Sequence, residues 1–211
     1  DRFDPETKSF AHFKLDPRVP KALENKRVRQ VYEGHSGIIW VSTDEGLYRF
    51  EPRTNTLTHF KSNPRNPYSL SCDLVRSVHE DRSGTIWVVT DTAGINEFDR
   101  ISGGLIRHRY AKDNPYSLSH DDVGITRTIS EDRAGNLWVA LFRYRGVNKL
   151  TRRARQFKTF TANTANAEQT LVEWNIAVSD SSIWTFDRTF LRRYSKSPTP
   201  RAWRMNSRVY K

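Results

Sequence analysis

The chain repeats itself. Residues 36–51 read SGIIWVSTDEGLYRFE, residues 83–99 read SGTIWVVTDTAGINEFD, and residues 134–150 read AGNLWVALFRYRGVNKL. Trp40, Trp87, Trp138 and Trp184 mark a spacing of 47, 51 and 46 residues. The likeness runs past the tryptophans. Residues 14–33 align without a gap on 61–80, NPYSLSCDLV (66–75) lies on NPYSLSHDDV (114–123), and residues 1–17 lie on 48–64. A chain written in copies of this length folds as copies of one supersecondary unit, and stacking the copies buries what each alone leaves exposed.

Each copy reads as four strands. In the best-written one they are VRSVHE (75–80), TIWVVT (85–90), GINEFD (94–99) and GLIRHRY (104–110). Apolar and polar residues alternate with period two, which is strand and not helix. The turn EDRSG places Gly84 where a positive φ is needed. NTANAEQTLVEW (163–174) has a helical composition but falls where a linker and a first strand belong, so it is read as loop leading into strand. Four short strands at a period of 40–50 residues predict an all-β fold, a β-propeller of four-stranded antiparallel blades. The expected divisions are a half blade at 1–14, blades at about 27–60, 74–110 and 122–160, and a degenerate blade at about 170–206. That is an incomplete arc of about four to five blades. Trp40, Trp87, Trp138 and Trp184, each on the second strand of its blade, are expected to fill the space between blades as structural core. Unpaired strand edges are a hazard. The unfinished first blade therefore predicts either a longer protein or a homodimer paired through open edges.

Charge is unevenly placed. Residues 1–141 carry 20 Lys+Arg and 20 Asp+Glu, whereas residues 142–211 carry 15 Lys+Arg against Glu168, Glu173, Asp180 and Asp187, so the net +11 lies in the last third. Such a block suits anionic partners. An acidic glycan or nucleic acid, contacted near Tyr194, Trp203 and Tyr210, is thus an alternative reading, though without a stacking motif nucleic acid is not favoured. No apolar run approaches the roughly 20 residues of a membrane helix. The opening DRFDPETKSF has no leader-like features, so any leader or anchor is expected outside these residues. Cys72 is alone and cannot form an internal disulfide.

The motifs of catalysis are missing. There is no His-x-x-x-His, Cys-x-x-Cys or Gly-rich phosphate loop, and the six histidines are scattered. No catalytic residue, metal or cofactor is expected. Asp73, Asp81, Asp121 and Asp132 recur at turns and strand starts, where Asp satisfies backbone donors. Recognition is expected instead in loops that vary on a fixed scaffold. From the Trp to the third strand the chain takes seven residues in the first copy (to Leu47), eight in the second (to Ile95) and nine in the third (to Val147). In the longest of these loops Arg143 and Arg145 flank Tyr144, two planar cations beside an aromatic face. Asp91 and Thr92 occupy the matching loop one copy earlier. These five residues are the candidate contacts for a small molecule or glycan.

The stretch NPYSLSCDLVRSVHEDRSGTIWVVTDTAGINEFD (66–99) resembles the regulator propeller repeat of bacterial two-component sensors, with its linker, its E-D turn and its G-x-I-W strand. The match is close at 61–99 and 109–138, good at 14–50 and weak after 160. The departures are Ser42 and Val89, where that family often has Gly, and DSSIW (180–184), which lacks the turn Gly. The resemblance implies a periplasmic, ligand-sensing region of an inner-membrane receptor. It also implies that a histidine kinase or diguanylate cyclase and a membrane tether lie beyond these residues. A propeller lyase of the streptogramin-inactivating type is a further alternative.

Overall fold

The computed structural model describes residues 2–11, 26–123, 128–141, 146–151, 155–161, 175–178, 182–186, 191–196 and 203–204. Among them there is no helix. A two-stranded ribbon, β1 (Arg2–Asp4) and β2 (Ser9–Ala11), comes first. Four four-stranded sheets follow, each antiparallel and each in chain order from one edge to the other. The first holds β3 (Val28–Glu33), β4 (Ile39–Thr43), β5 (Gly46–Glu51) and β6 (Thr56–Phe60). The second holds β7 (Val75–Glu80), β8 (Ile86–Thr90), β9 (Ile95–Phe98) and β10 (Leu105–His108). The third holds β11 (Ile129–Glu131), β12 (Leu137–Ala140), β13 (Gly146–Thr151) and β14 (Gln156–Thr161). The fourth holds β15 (Asn175–Val178), β16 (Ser182–Phe186), β17 (Leu191–Lys196) and β18 (Trp203–Arg204). The sheets make an open propeller arc: among the described residues no strand pairing links one sheet to another or closes a ring.

Period-two alternation decides what each face touches. Ile86 and Val88 of β8 pack toward the first sheet with Trp40, Leu47 and Leu70. Trp87 and Val89, one residue out of phase, pack toward the third with Leu137, Val139 and Phe157. Trp138 and Ala140 of β12 then meet Ile183 and Val178 of the fourth sheet. Trp40, Trp87 and Trp138 are buried; Trp184 is half-buried, with the Arg193 guanidinium 5.3 Å from its ring centre.

The turns repeat as faithfully as the strands. Gly37, Gly84 and Gly135 hold the same left-handed place after each first strand, with φ of 76°, 81° and 78°. Between third and fourth strands that conformation falls on Lys8, Asn55, Gly103 and Arg155 (φ 51°, 52°, 68° and 50°).

The NPYSLS linkers serve as covers. Tyr68 O accepts from Leu105 N (2.8 Å) and Tyr116 O from Phe157 N (3.0 Å), so each linker lies against the outermost strand of the following sheet. Arg107 of β10 pins its linker from within, reaching Ser69 O, Asn63 O, Asn66 O and Leu70 O. Buried Asn96 and Asn148 fix the linker ends through paired bonds to Ser71 and Ser119.

Candidate functional site

The loops between second and third strands are where variation predicts contacts. Arg143, Tyr144 and Arg145 lie outside the described residues, as does the GIT insertion at 124–126. Asp91 is committed to structure. A register shift between Val75 and Ser77 marks a bulge at Arg76, and Arg76 grips Asp91 through Nε (3.1 Å) and Nη2 (2.9 Å). The same bulge recurs between Val28 and Gln30, where Arg29 grips Asp44. The Arg29 hydrogen bonds hold the Asp44 carboxyl below the usual carboxylate range against the opposing pull of burial. A bulge of this kind re-aims a side chain, here onto the neighbouring loop. Thr92 is exposed in a left-handed conformation, φ 52°.

Two cavities open elsewhere. One, about 690 Å³, runs along the outer rim between β6, the 61–70 linker and the 102–105 turn, past Lys61, Asn66 and the exposed ring of Tyr68. The other, about 430 Å³, lies between the first and second sheets and is walled by Trp40, Phe60 and Phe98. Their rings meet edge-on or stacked, with centres 5.2 to 6.3 Å apart. Arg49 and Arg100 stand at this second cavity. Arg49 Nη2 bonds Glu51 at 3.1 Å; Arg100 Nη2 bonds Glu80 Oε1 at 3.0 Å and Gly84 O at 2.5 Å. Both cavities touch the turns between third and fourth strands, at Gly103, on the opposite side from the loops singled out by length. The 100–104 turn on this side reads as two residues longer than its counterparts, but Phe98 stands opposite Leu105 as Phe50 stands opposite Leu57, so its length is unchanged. The signal of this side is the pairing of residues across the repeat: Arg49, Glu97, Lys149 and Arg193 stand opposite Trp40, Trp87, Trp138 and Trp184 in turn.

At the next junction, between the second and third sheets, the equivalent space is filled. Glu97 accepts from His108 Nε2 at 3.0 Å and is bridged by Arg155. His108 packs between Trp87 (5.5 Å) and Phe157 (5.7 Å). Burial pushes the Glu97 carboxyl up, but the His108 hydrogen bond and the Arg155 charge outweigh it and hold it below the ordinary range.

The second and third sheets are also held at their first turns. Asp81 accepts from Ser83 N, Thr85 N and the Trp87 indole (2.9, 3.0 and 3.0 Å). Asp132 accepts from Asn136 N and the Trp138 indole (2.8 and 3.0 Å). Burial alone would raise the Asp81 and Asp132 carboxyls; the hydrogen bonds from Ser83 and Trp87, and from Asn136 and Trp138, hold both low. A second clasp comes from the following sheet. Glu80 Oε2 accepts from His35 N at 2.7 Å, and Glu131 Oε2 from Arg82 N at 2.8 Å. His79 Nε2 and Glu131 Oε1 are buried without a hydrogen-bond partner among the described residues. Burial keeps His79 below its usual range, against the opposing field of Glu131 and Asp81. Among the described residues no three His, Cys, Asp or Glu are grouped to hold a metal ion.

No family model matches the chain, and no curated protein matches it in sequence. Its fold is shared with solved structures. The extracellular domain of a protein described as a hybrid two-component system from B. thetaiotaomicron matches with TM-score 0.70 at 20% identity, over 88% of this chain and 25% of that one. Another such extracellular domain from the same organism matches with TM-score 0.62 at 23% identity, over 86% and 24%. Virginiamycin B lyase from Staphylococcus aureus matches with TM-score 0.60 at 13% identity, over 85% and 58%. The chain thus spans about a quarter of the length of the extracellular domains it matches, and what it shares with all three is the fold.

Proposed function

We propose that this chain is part of the extracytoplasmic, ligand-sensing propeller of a bacterial two-component-type receptor, and that it performs no catalysis itself. The observation that carries this reading is the fold shared with extracellular domains of hybrid two-component systems across most of the chain. The linker and turn motifs at 61–99 point the same way. On this reading the chain stands in the periplasm, a kinase or cyclase and a membrane tether belong to other parts of the receptor, and its partner is a small molecule or glycan. The variable loop bearing Arg143, Tyr144 and Arg145 and, in the matching loop one copy earlier, Thr92 remain the proposed contacts; Asp91, bound to Arg76, is assigned to the scaffold. The test is protease accessibility of this segment in the full-length gene product, in intact spheroplasts. Digestion from outside is expected; protection until the membrane is broken would overturn the reading.

The lyase reading draws on the likeness to virginiamycin B lyase, solved with quinupristin. It predicts that quinupristin is consumed on incubation with the chain, followed as loss of its chromatographic peak; we expect no loss. The basic last third supports binding to an anionic polymer. That reading predicts heparin retention that falls steeply with salt.

A further inference from the structure

The first and second junctions are one design with different contents. Opposite Trp87 stands Glu97, and opposite Trp40 stands Arg49. The left-handed position of the turn is Arg155 in the third sheet and Gly103 in the second. His108 of the second junction corresponds to Phe60 of the first. The second junction therefore contains a carboxylate beside a tryptophan, held by an imidazole and capped by a guanidinium. The first lacks the acid and the cap. A side chain at Gly103 would meet nothing within 4 Å of its Cβ. What remains is an aromatic-walled cavity of about 430 Å³, within the usual range for small-molecule sites.

We propose that the cavity between the first and second sheets binds a small flat carboxylate, an aromatic acid, whose ring lies against Trp40, Phe60 and Phe98 and whose carboxylate is taken by Arg49 and Arg100. A guanidinium offers five N–H donors in a planar fork suited to a carboxylate. One nitrogen of each is already engaged, Arg49 Nη2 with Glu51 and Arg100 Nη2 with Glu80 and Gly84, which orients the fork and leaves other donors for a ligand. Glu80 cannot easily turn into the cavity, because its second oxygen is held by His35 N. The ligand carboxylate supplies to the first junction the group that Glu97 supplies to the second. This inference does not rest on the receptor reading.

The test is calorimetric titration of the 211-residue chain with 2-naphthoate, with the neutral 2-naphthalenemethanol and with galacturonate. Saturable binding of 2-naphthoate is expected, at least tenfold tighter than of the alcohol, with galacturonate weaker still. Gly103→Arg, which copies the cap of the third sheet, is expected to weaken naphthoate at least tenfold. Arg49→Gln is expected to bring acid and alcohol to within about threefold of each other, so the claim stays open to refutation even if Gly103→Arg fails to fold. Absence of saturable binding to the wild type, equal affinity for acid and alcohol, preference for galacturonate, or undiminished binding by folded Gly103→Arg would each overturn the proposal.

Discussion

The first turns of the first and third sheets occupy the same place in the repeat and are secured from opposite directions. In the third, Asp132 reaches forward to Asn136 and the Trp138 indole, so the turn is closed by its own residues. In the first, Gly34 stands where that Asp would be and has no side chain to offer. Its missing Cβ leaves room for Glu80 of the next sheet, whose Oε2 would lie 2.6 Å from one, and Glu80 accepts from His35 N instead. The second turn has both devices, Asp81 from within and Glu131 from the third sheet. In the fourth sheet Val178 ends β15 where Glu131 ends β11, and it packs on the Trp138 cluster rather than clasping a turn. Among the described residues, dependence on the neighbour thus falls from the first sheet to the third. Repetition has fixed the geometry, and each sheet fills it with its own chemistry.

Four changes would break or sharpen this contrast. The largest effect is expected for Asp132→Ala, which removes the acceptor of the buried Trp138 indole and of the Asn136 amide, with no clasp from the following sheet among the described residues. A loss of about 3 kcal/mol is expected in urea denaturation, from unmade charge-assisted hydrogen bonds. Asp81→Ala in the second turn should cost visibly less, because Glu131 still holds Arg82 N; equal losses would show that the two devices are not redundant. Gly34→Ala comes next, at about 2 kcal/mol, since the new methyl displaces the Glu80 carboxylate. Its φ is not the obstacle, so Glu80→Ala in the same chain should make the second change nearly neutral in a double-mutant cycle. Glu131→Val, which copies the fourth sheet, is expected to cost about 1 kcal/mol or less, because it removes one hydrogen bond and also one orphaned buried oxygen.

The smallest effect is a pH dependence. His79 titrates below its ordinary value in the folded chain, mainly because it is buried, with Glu131, Asp81 and Glu80 opposing and His35 assisting. The unfolded chain therefore binds the extra proton first. The stability tied to neutral His79 is complete above about pH 6.5 and declines as pH falls from there toward the folded value. Melting between pH 7.5 and 5.5 should show a shallow fall that His79→Tyr, the residue at this place in the first sheet (Tyr32), abolishes. A steeper loss follows below about pH 4.5 for Glu97 and about 3.8 for Asp81 and Asp132, where the unfolded carboxyls bind protons before the depressed folded ones do, and it is complete once the folded groups are protonated. Glu97→Gln should flatten part of that loss.

Much of the architecture could be read from the chain before its structure. Period-two alternation around four tryptophans carried the strands, and the spacing carried the sheets. Asp81 and Asp132 were legible as turn residues that satisfy backbone donors; that each also takes the indole of its own tryptophan was not, because the two lie six residues apart across a turn. NPYSLS was legible as linker, but nothing in its composition says that it lies on the outer strand of the following sheet, since that contact is made nearly forty residues away. The first cavity was hidden for a related reason. It arises from Gly103, which reads as an ordinary turn glycine until Arg155 is seen at the same place filling the next junction. Loop length draws attention to Asp91, yet only the bulge at Arg76 explains why its carboxylate is already taken.

The covering linkers also fix an order of events on the ribosome. Residues 61–74 are synthesised before β10, and 111–121 before β14, so each outermost strand leaves the exit tunnel after the segment that will lie against it. The second and third sheets therefore do not wait for downstream chain to shield their outer edges. Wherever copies of the chain emerge N-terminus first and side by side, the edge most available for pairing with a stranger already has its own partner in hand.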